Sequence, residues 1–134
     1  MARLHLVRYM AAARFLLALV ALLVALASGY AAKLPSSAET LLLRRLHAQK
    51  IIKIHEVRGR TINDFDYLGL FATFEITWGF ESWYHPEVIL RKQHSDADWA
   101  RAELFSSSKR IEPLFALSDA EFTKALRPWP SEKT

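Results

Sequence analysis

Read for its apolar and polar positions, the chain falls into four stretches. From Phe15 to Ala32 it runs 18 residues without a charge, FLLALVALLVALASGYAA, rich in leucine and alanine. That composition favours a helix over a buried strand. Eighteen helical residues reach ~27 Å, against a bilayer hydrocarbon core of roughly 30 Å. Extended back to Ala11, with Arg14 reaching toward the headgroups, the segment predicts a transmembrane helix over about 11–32 within an N-terminal anchor, 1–33. A second reading stands beside this one. Arg3, Arg8 and Arg14, a short apolar core and Ala25-Leu26-Ala27 as a small-x-small site compose a secretory signal peptide cleaved near Ala27. An acid-free, arginine-bearing start also shares features with mitochondrial targeting segments. The retained anchor is the working expectation. Basic residues on both flanks, with Lys33, Arg44 and Arg45 beyond the run, leave the membrane orientation open.

Over 34–60 the pattern predicts a basic helix. Ser36 and Glu39 have capping-box spacing, good helix formers follow from Ala38 to Arg58, and Gly59 suits a helix end. Its apolar residues share no single stripe, which suits burial between partners or a course along lipid headgroups. The β-branched Ile51, Ile52, Ile54 and Val57 make a strand over Lys50–Val57 the alternative.

Over 61–86 the expectation is an aromatic-rich helix, capped by Thr61 or Asn63 and ending before His85-Pro86. Eight of the chain's sixteen aromatics lie between Phe65 and Tyr84. Tyr67, Phe71, Phe74 and Trp78 recur at i, i+4, i+7 and i+11, one helical face. Glu75 argues against a second span, since a mid-membrane carboxylate costs about 2.5–3.5 kcal/mol. The remainder, 87–134, reads as a polar helical region with an extended tail. One helix begins at Ser95 and runs to about Phe105, and Pro113 to Leu117 is a connector. A second helix starts at Ser118, capped with Glu121, and stops at Pro128. In the tail Trp129 sits between two prolines as a rigid apolar plug. The fold class expected is therefore mostly α: one transmembrane helix, several further helices and connectors, and no independent compact enzyme fold.

Charge is uneven along this chain of net charge +4. Residues 1–33 carry four basic and no acidic side chains, 34–64 six basic and three acidic, and 65–134 eight basic and eleven acidic. Nucleic-acid binding calls for a basic face interleaved with exposed aromatics. Here the basic and aromatic segments are separate parts of the chain, so nucleic acid is not an expected partner. The absence of cysteine removes disulfides, thiolate metal sites and iron–sulfur ligation.

No nucleophile, phosphate-loop, dinucleotide or zinc-protease motif is present. His94, Asp96 and Asp98 form an HxDxD string whose residues fit a helix start better than a cation site. His47 and His55 are two helical turns apart, too far for one metal without other ligands. Glu75 reads as the ion-pair partner of an Arg or Lys on a neighbouring helix, or as a carboxylate facing water at the membrane boundary, rather than a proton relay. The expectation is no catalytic residue, no cofactor, no metal and no small-molecule substrate. The expected partner-binding residues are Tyr67, Phe71, Phe74, Glu75, Trp78, Trp83 and Trp129, because large apolar groups outside a membrane helix mark protein contacts. In general plan alone, the chain resembles the small one-span accessory subunits of mitochondrial inner-membrane complexes. That resemblance implies a non-catalytic, single-pass subunit of a respiratory-chain complex or ATP synthase, contacting other subunits and the lipid bilayer. The alternative is a small secreted or periplasmic binding domain released from its signal peptide.

Overall fold

The basic and aromatic segments, expected as consecutive helices, pair with each other as strands. In the computed structural model, which describes residues 30–77 and 81–130, β2 (Ala48–Ile62) and β3 (Phe65–Thr77) form a long antiparallel hairpin. The turn is Asn63-Asp64, and Asn63 takes a φ of 54°. A tight hairpin needs that positive φ and asparagine tolerates it. The residues that suggested a helix cap make a turn instead.

β1 (Tyr30–Ala31), β4 (Glu81–Tyr84), β5 (Glu87–Gln93), β6 (Glu103–Ser107) and β7 (Leu126–Pro128) complete a seven-stranded antiparallel sheet. Its order is β1-β2-β3-β5-β6-β7, with β4 beside the far part of β3. Helices are limited, among the described residues, to α1 (Ser36–Arg45), α2 (Ile111–Phe115) and α3 (Asp119–Ala125). The mostly α expectation is thus overturned by an antiparallel sheet. The helices expected over 34–60 and 61–86 give way to α1, β2, β3 and β4. The helix expected from Ser95 is replaced by turns leading into β6.

The cause lies in burial. Leu68, Leu70, Ala72 and Phe74 of β3 face α1, packing with Ala38, Leu41, Leu42 and Leu46. Tyr67 and Phe71, on the opposite face, join Ile62, Ile89, Ile111, Leu114, Phe115 and Phe122 beneath α2 and α3. A strand buried on both faces loses the apolar–polar alternation that marks a half-buried one. The helical spacing of its aromatics is coincidental. α1 stops at Arg45, and His47, with φ 53°, turns the chain into β2. The strand considered for Lys50–Val57 is what forms, and Gly59 lies within it. Pro35 rather than Ser36 precedes α1, with no side-chain cap. The Ser118 hydroxyl does accept the Glu121 N–H at 3.4 Å and caps α3 as its spacing predicts.

The greater part of the expected membrane helix, Trp78 and residues 131–134 lie outside the described residues. Among those described, no helix is long and apolar enough to cross a membrane. Tyr30 and Ala31 pair with Gly59 and Arg58, and the Ala32 N–H reaches the Val57 carbonyl at 3.1 Å. The last three residues of the expected 11–32 helix therefore belong to the sheet.

Two features clamp α2 and α3 to their face. Arg60, 6% exposed, donates to the carbonyls of Phe115 and Leu117 and to Asp119, and its guanidinium lies 5.0 Å from the Phe122 ring centre. Gly69 leaves room for the Phe115 ring: a Cβ at Gly69 would stand 2.5 Å from Phe115 Cε2 and 3.1 Å from Ile111 Cδ1. Gly69→Ala should lower unfolding free energy by about 1–3 kcal/mol, the usual cost of overpacking. Adding Phe115→Leu should cost less in Gly69→Ala than in the parent, because neighbours sharing a space couple. Chemical denaturation of the four proteins checks this; additive losses would show that the two residues do not compete for the same space.

Candidate functional site

Opposed residues of an antiparallel sheet share a face, so the register arranges the sheet beyond Gly69 in rows. Glu56, Phe71 and Glu87 make one row, and Lys50, Glu75 and Trp83 another. Between them, Lys53 opposes Thr73. β4 and β5 keep one register against β3, with Tyr84 opposite Phe74 and Glu87 opposite Phe71. His85 and Pro86 fill the two positions between, where the ladder lapses because proline has no N–H to give it. His85 consequently stands beside Thr73.

β2 is irregular along this half, with register shifts between Ala48 and Lys50, Ile51 and Lys53, and Ile54 and Glu56. Each adds a residue on β2 and bends it. The third brings His55 over Phe71, ring centres 4.6 Å apart. From there His55 Nε2 lies 2.8 Å from the Thr73 hydroxyl, which lies 2.8 Å from His85 Nδ1 on its other side. A hydroxyl donates one proton and accepts through its lone pairs. With both rings neutral, the single Thr73 O–H can serve at most one bare ring nitrogen, so at least one of the two facing nitrogens must carry a proton and donate to the Thr73 oxygen. The tautomers of the two histidines are linked through Thr73.

Charge and apolar surface gather at this end as well. Glu75, whose side chain is 13% exposed, pairs at 3.4 Å with Lys50, a residue of the adjacent strand β2 and not of a neighbouring helix. Glu87 accepts the Ile111 N–H at the start of α2 and pairs with Arg110, whose guanidinium lies 5.6 Å from the Phe71 ring centre. The exposed large hydrophobics among the described residues are Ile52, Ile54, Trp83 and Tyr84, all on this half of β2 or on β4. Arg44 and Arg45 at the end of α1, and Lys53, are exposed and meet no carboxylate among the described residues.

The opposite end is acidic. Asp66 accepts hydrogen bonds from Lys92 (2.9 Å), His94 Nδ1 (2.9 Å) and Thr61 (2.9 Å). Burial pushes its carboxyl up, but these donors outweigh burial and hold it below its ordinary value. His94 is thus turned to Asp66, while the Asp98 carboxylate accepts the Ala100 N–H. The HxDxD residues make no common site and start no helix. Among the described residues no three His, Asp or Glu side chains gather as metal ligands. A groove of about 270 Å³ along α1, lined by Ser36, Ser37, Thr40, Leu41, Arg44 and Ala100, holds no acid–base pair.

Of the expected partner-binding residues, Tyr67 and Phe74 are buried in the two cores and Phe71 is half-buried between His55 and Arg110. Trp129 packs half-buried against the α1-side core, its N–H on the Leu104 carbonyl at 3.1 Å. Trp83 is 66% exposed, next to Glu75 in register. Trp78 lies outside the described residues. Sequence reasoning missed Thr73, His55 and His85 as a group, because a bulge and a broken ladder assemble them. Only the His85-Pro86 pair carried any signal, of the break itself. The separation of basic from aromatic segments along the chain is not a separation in space, since β2 lies against β3 and β3 against β4.

Comparison with protein-family models, characterised proteins and solved structures finds no match.

Thr73→Val should uncouple the two rings and redistribute their tautomers, read from ring ¹⁵N shifts of His55 and His85, with stability lowered by about 1 kcal/mol. Unchanged ring shifts would rule out the shared hydroxyl. Asp66, with a depressed folded pKa, contributes stability that is present above its unfolded value and lost as pH falls through the folded one. Acidification below about pH 4 should cost the parent more stability than Asp66→Asn; parallel pH–stability curves would contradict the assignment.

Proposed function

We propose that the chain is an exported, non-catalytic small binding domain, released from its apolar N-terminal segment by cleavage near Ala27. The observation that carries this is where the sheet begins. Tyr30 is already hydrogen-bonded into it, three positions beyond Ala27. Cleavage after Ala25-Leu26-Ala27 leaves every described element intact. With Tyr30 and Ala31 paired in β1, the uncharged residues left for a membrane helix are at most Phe15 to Gly29. As a helix they reach about 22 Å, short of the roughly 30 Å hydrocarbon core and of the length proper to a signal's apolar core. The domain also supplies its own two-sided core, which buries most of its large apolar side chains without a partner subunit. Binding fits the candidate site, because His55 and His85 stand exposed on a sheet face on either side of the buried Thr73.

The uncharged run supports a second reading, the accessory subunit of a mitochondrial inner-membrane complex held by a retained helix that would have to include Arg14. Intact-mass measurement on protein from its native host separates the two. The proposal expects a chain starting at Ser28 in an extracytoplasmic fraction. A chain retaining Met1 and co-purifying with a detergent-extracted complex would replace it with the anchored subunit.

A further inference from the structure

We infer that the basic, aromatic end of the sheet docks on an anionic lipid bilayer. At this end of the sheet the α1 face carries Ile54 and Tyr84, opposite Ala72 and Phe74 of the α1-side core, with Arg44 and Arg45 at the end of α1. The other face carries Lys50, Lys53 and Trp83, and Ile52 lies between Ile51 and Lys53. One end of the domain thus presents cations and exposed apolar side chains on both faces. Among the described side chains, the acids nearest in register are taken up, Glu75 by Lys50 and Glu56 by Arg58, which leaves Arg44, Arg45 and Lys53 as the unmatched charges. Net positive charge remains where the apolar side chains are exposed.

The composition of the patch selects the occupant. Tryptophan and tyrosine settle at the headgroup level of a membrane, and lysine and arginine are drawn to its anionic surface. Nucleic acid would use the cations and the rings for stacking but has no use for two exposed isoleucines. An acyl boundary takes up both kinds of apolar group. An acidic protein would need a matching apolar surface, and nothing in the molecule points to one.

The inference rests on the exported reading through the direction of β1. β1 runs antiparallel to β2, with Tyr30 toward the Asn63-Asp64 turn and Ala31 away from it. The chain therefore enters the sheet from the side of Asp64 and Asp66. Gly59, where it enters, is about 25 Å along β2 from Lys50. A retained anchor would hold the acidic end at its bilayer and the basic end away from it. Release frees the basic end to meet a membrane surface.

The test uses protein isolated from its host, its N-terminus fixed by intact mass, and the same chain carrying Arg44→Glu with Arg45→Glu, or Trp83→Ala. All three positions are exposed, and unchanged melting confirms that each variant is folded. Each is sedimented with vesicles of phosphatidylcholine alone and of phosphatidylcholine mixed with phosphatidylglycerol. The expected result is binding to the mixed vesicles, weakened by salt. It should fall about tenfold or more in the double charge reversal and severalfold in Trp83→Ala. Equal binding to both vesicles, charge reversal without effect, or binding to a single-stranded oligonucleotide in place of vesicles would overturn the docking surface while leaving a Ser28 start untouched. A chain beginning at Met1 would overturn the exported reading, and the docking with it.

Discussion

A strand that must be buried on both of its faces governs this molecule. β3 has α1 against one side and α2 with α3 against the other, so its apolar side chains from Tyr67 to Phe74 answer to one packed layer or the other. Gly69 is the tightest of these constraints, because the Phe115 ring occupies the space a side chain would take. Arg60, on the strand alongside, reaches across to hold the backbone carbonyls that end α2 and the connection into α3. Once β3 is seated, its two edges decide the rest. β2 lies along one edge and bends through its bulges, while β4 and β5 divide the other at His85-Pro86.

How much of this was legible follows from the same burial. A half-buried strand announces itself by alternation, but Tyr67-Leu68-Gly69-Leu70-Phe71-Ala72-Thr73-Phe74 is apolar at nearly every position. Such a run cannot be told from a buried helix by periodicity alone, and its aromatics happened to match a helical face. Some local chemistry was legible: Ser118 caps α3 through the Glu121 N–H three residues on. The β-branched run of β2 favoured the strand that was set second to a helix. His55, Thr73 and His85 come from three different stretches and meet only because β2 bulges and the β4–β5 ladder lapses, which no spacing rule encodes.

The hairpin also converts a charge asymmetry along the chain into one across the domain. Basic β2 lies against aromatic β3 and β4, so cations and exposed rings share one end, while Asp64, Asp66, Asp96 and Asp98 lie toward the other. β1 enters the sheet from the acidic side. On the proposed reading, delivery and recognition belong to opposite ends of one small domain, and the first is finished with once cleavage near Ala27 is complete.

The claim beneath all of this is that the aromatic segment is the shared strand between basic β2 and β4. Interstrand proton contacts in solution test it most directly. The structure predicts backbone contacts between Gly59 and Leu68, and side-chain contacts linking Lys50, Glu75 and Trp83 across three strands. It also predicts extended-type Cα shifts from Phe65 through Thr77. Helical shifts over those residues, with contacts from each to the residue four further on and none between Gly59 and Leu68, would contradict it.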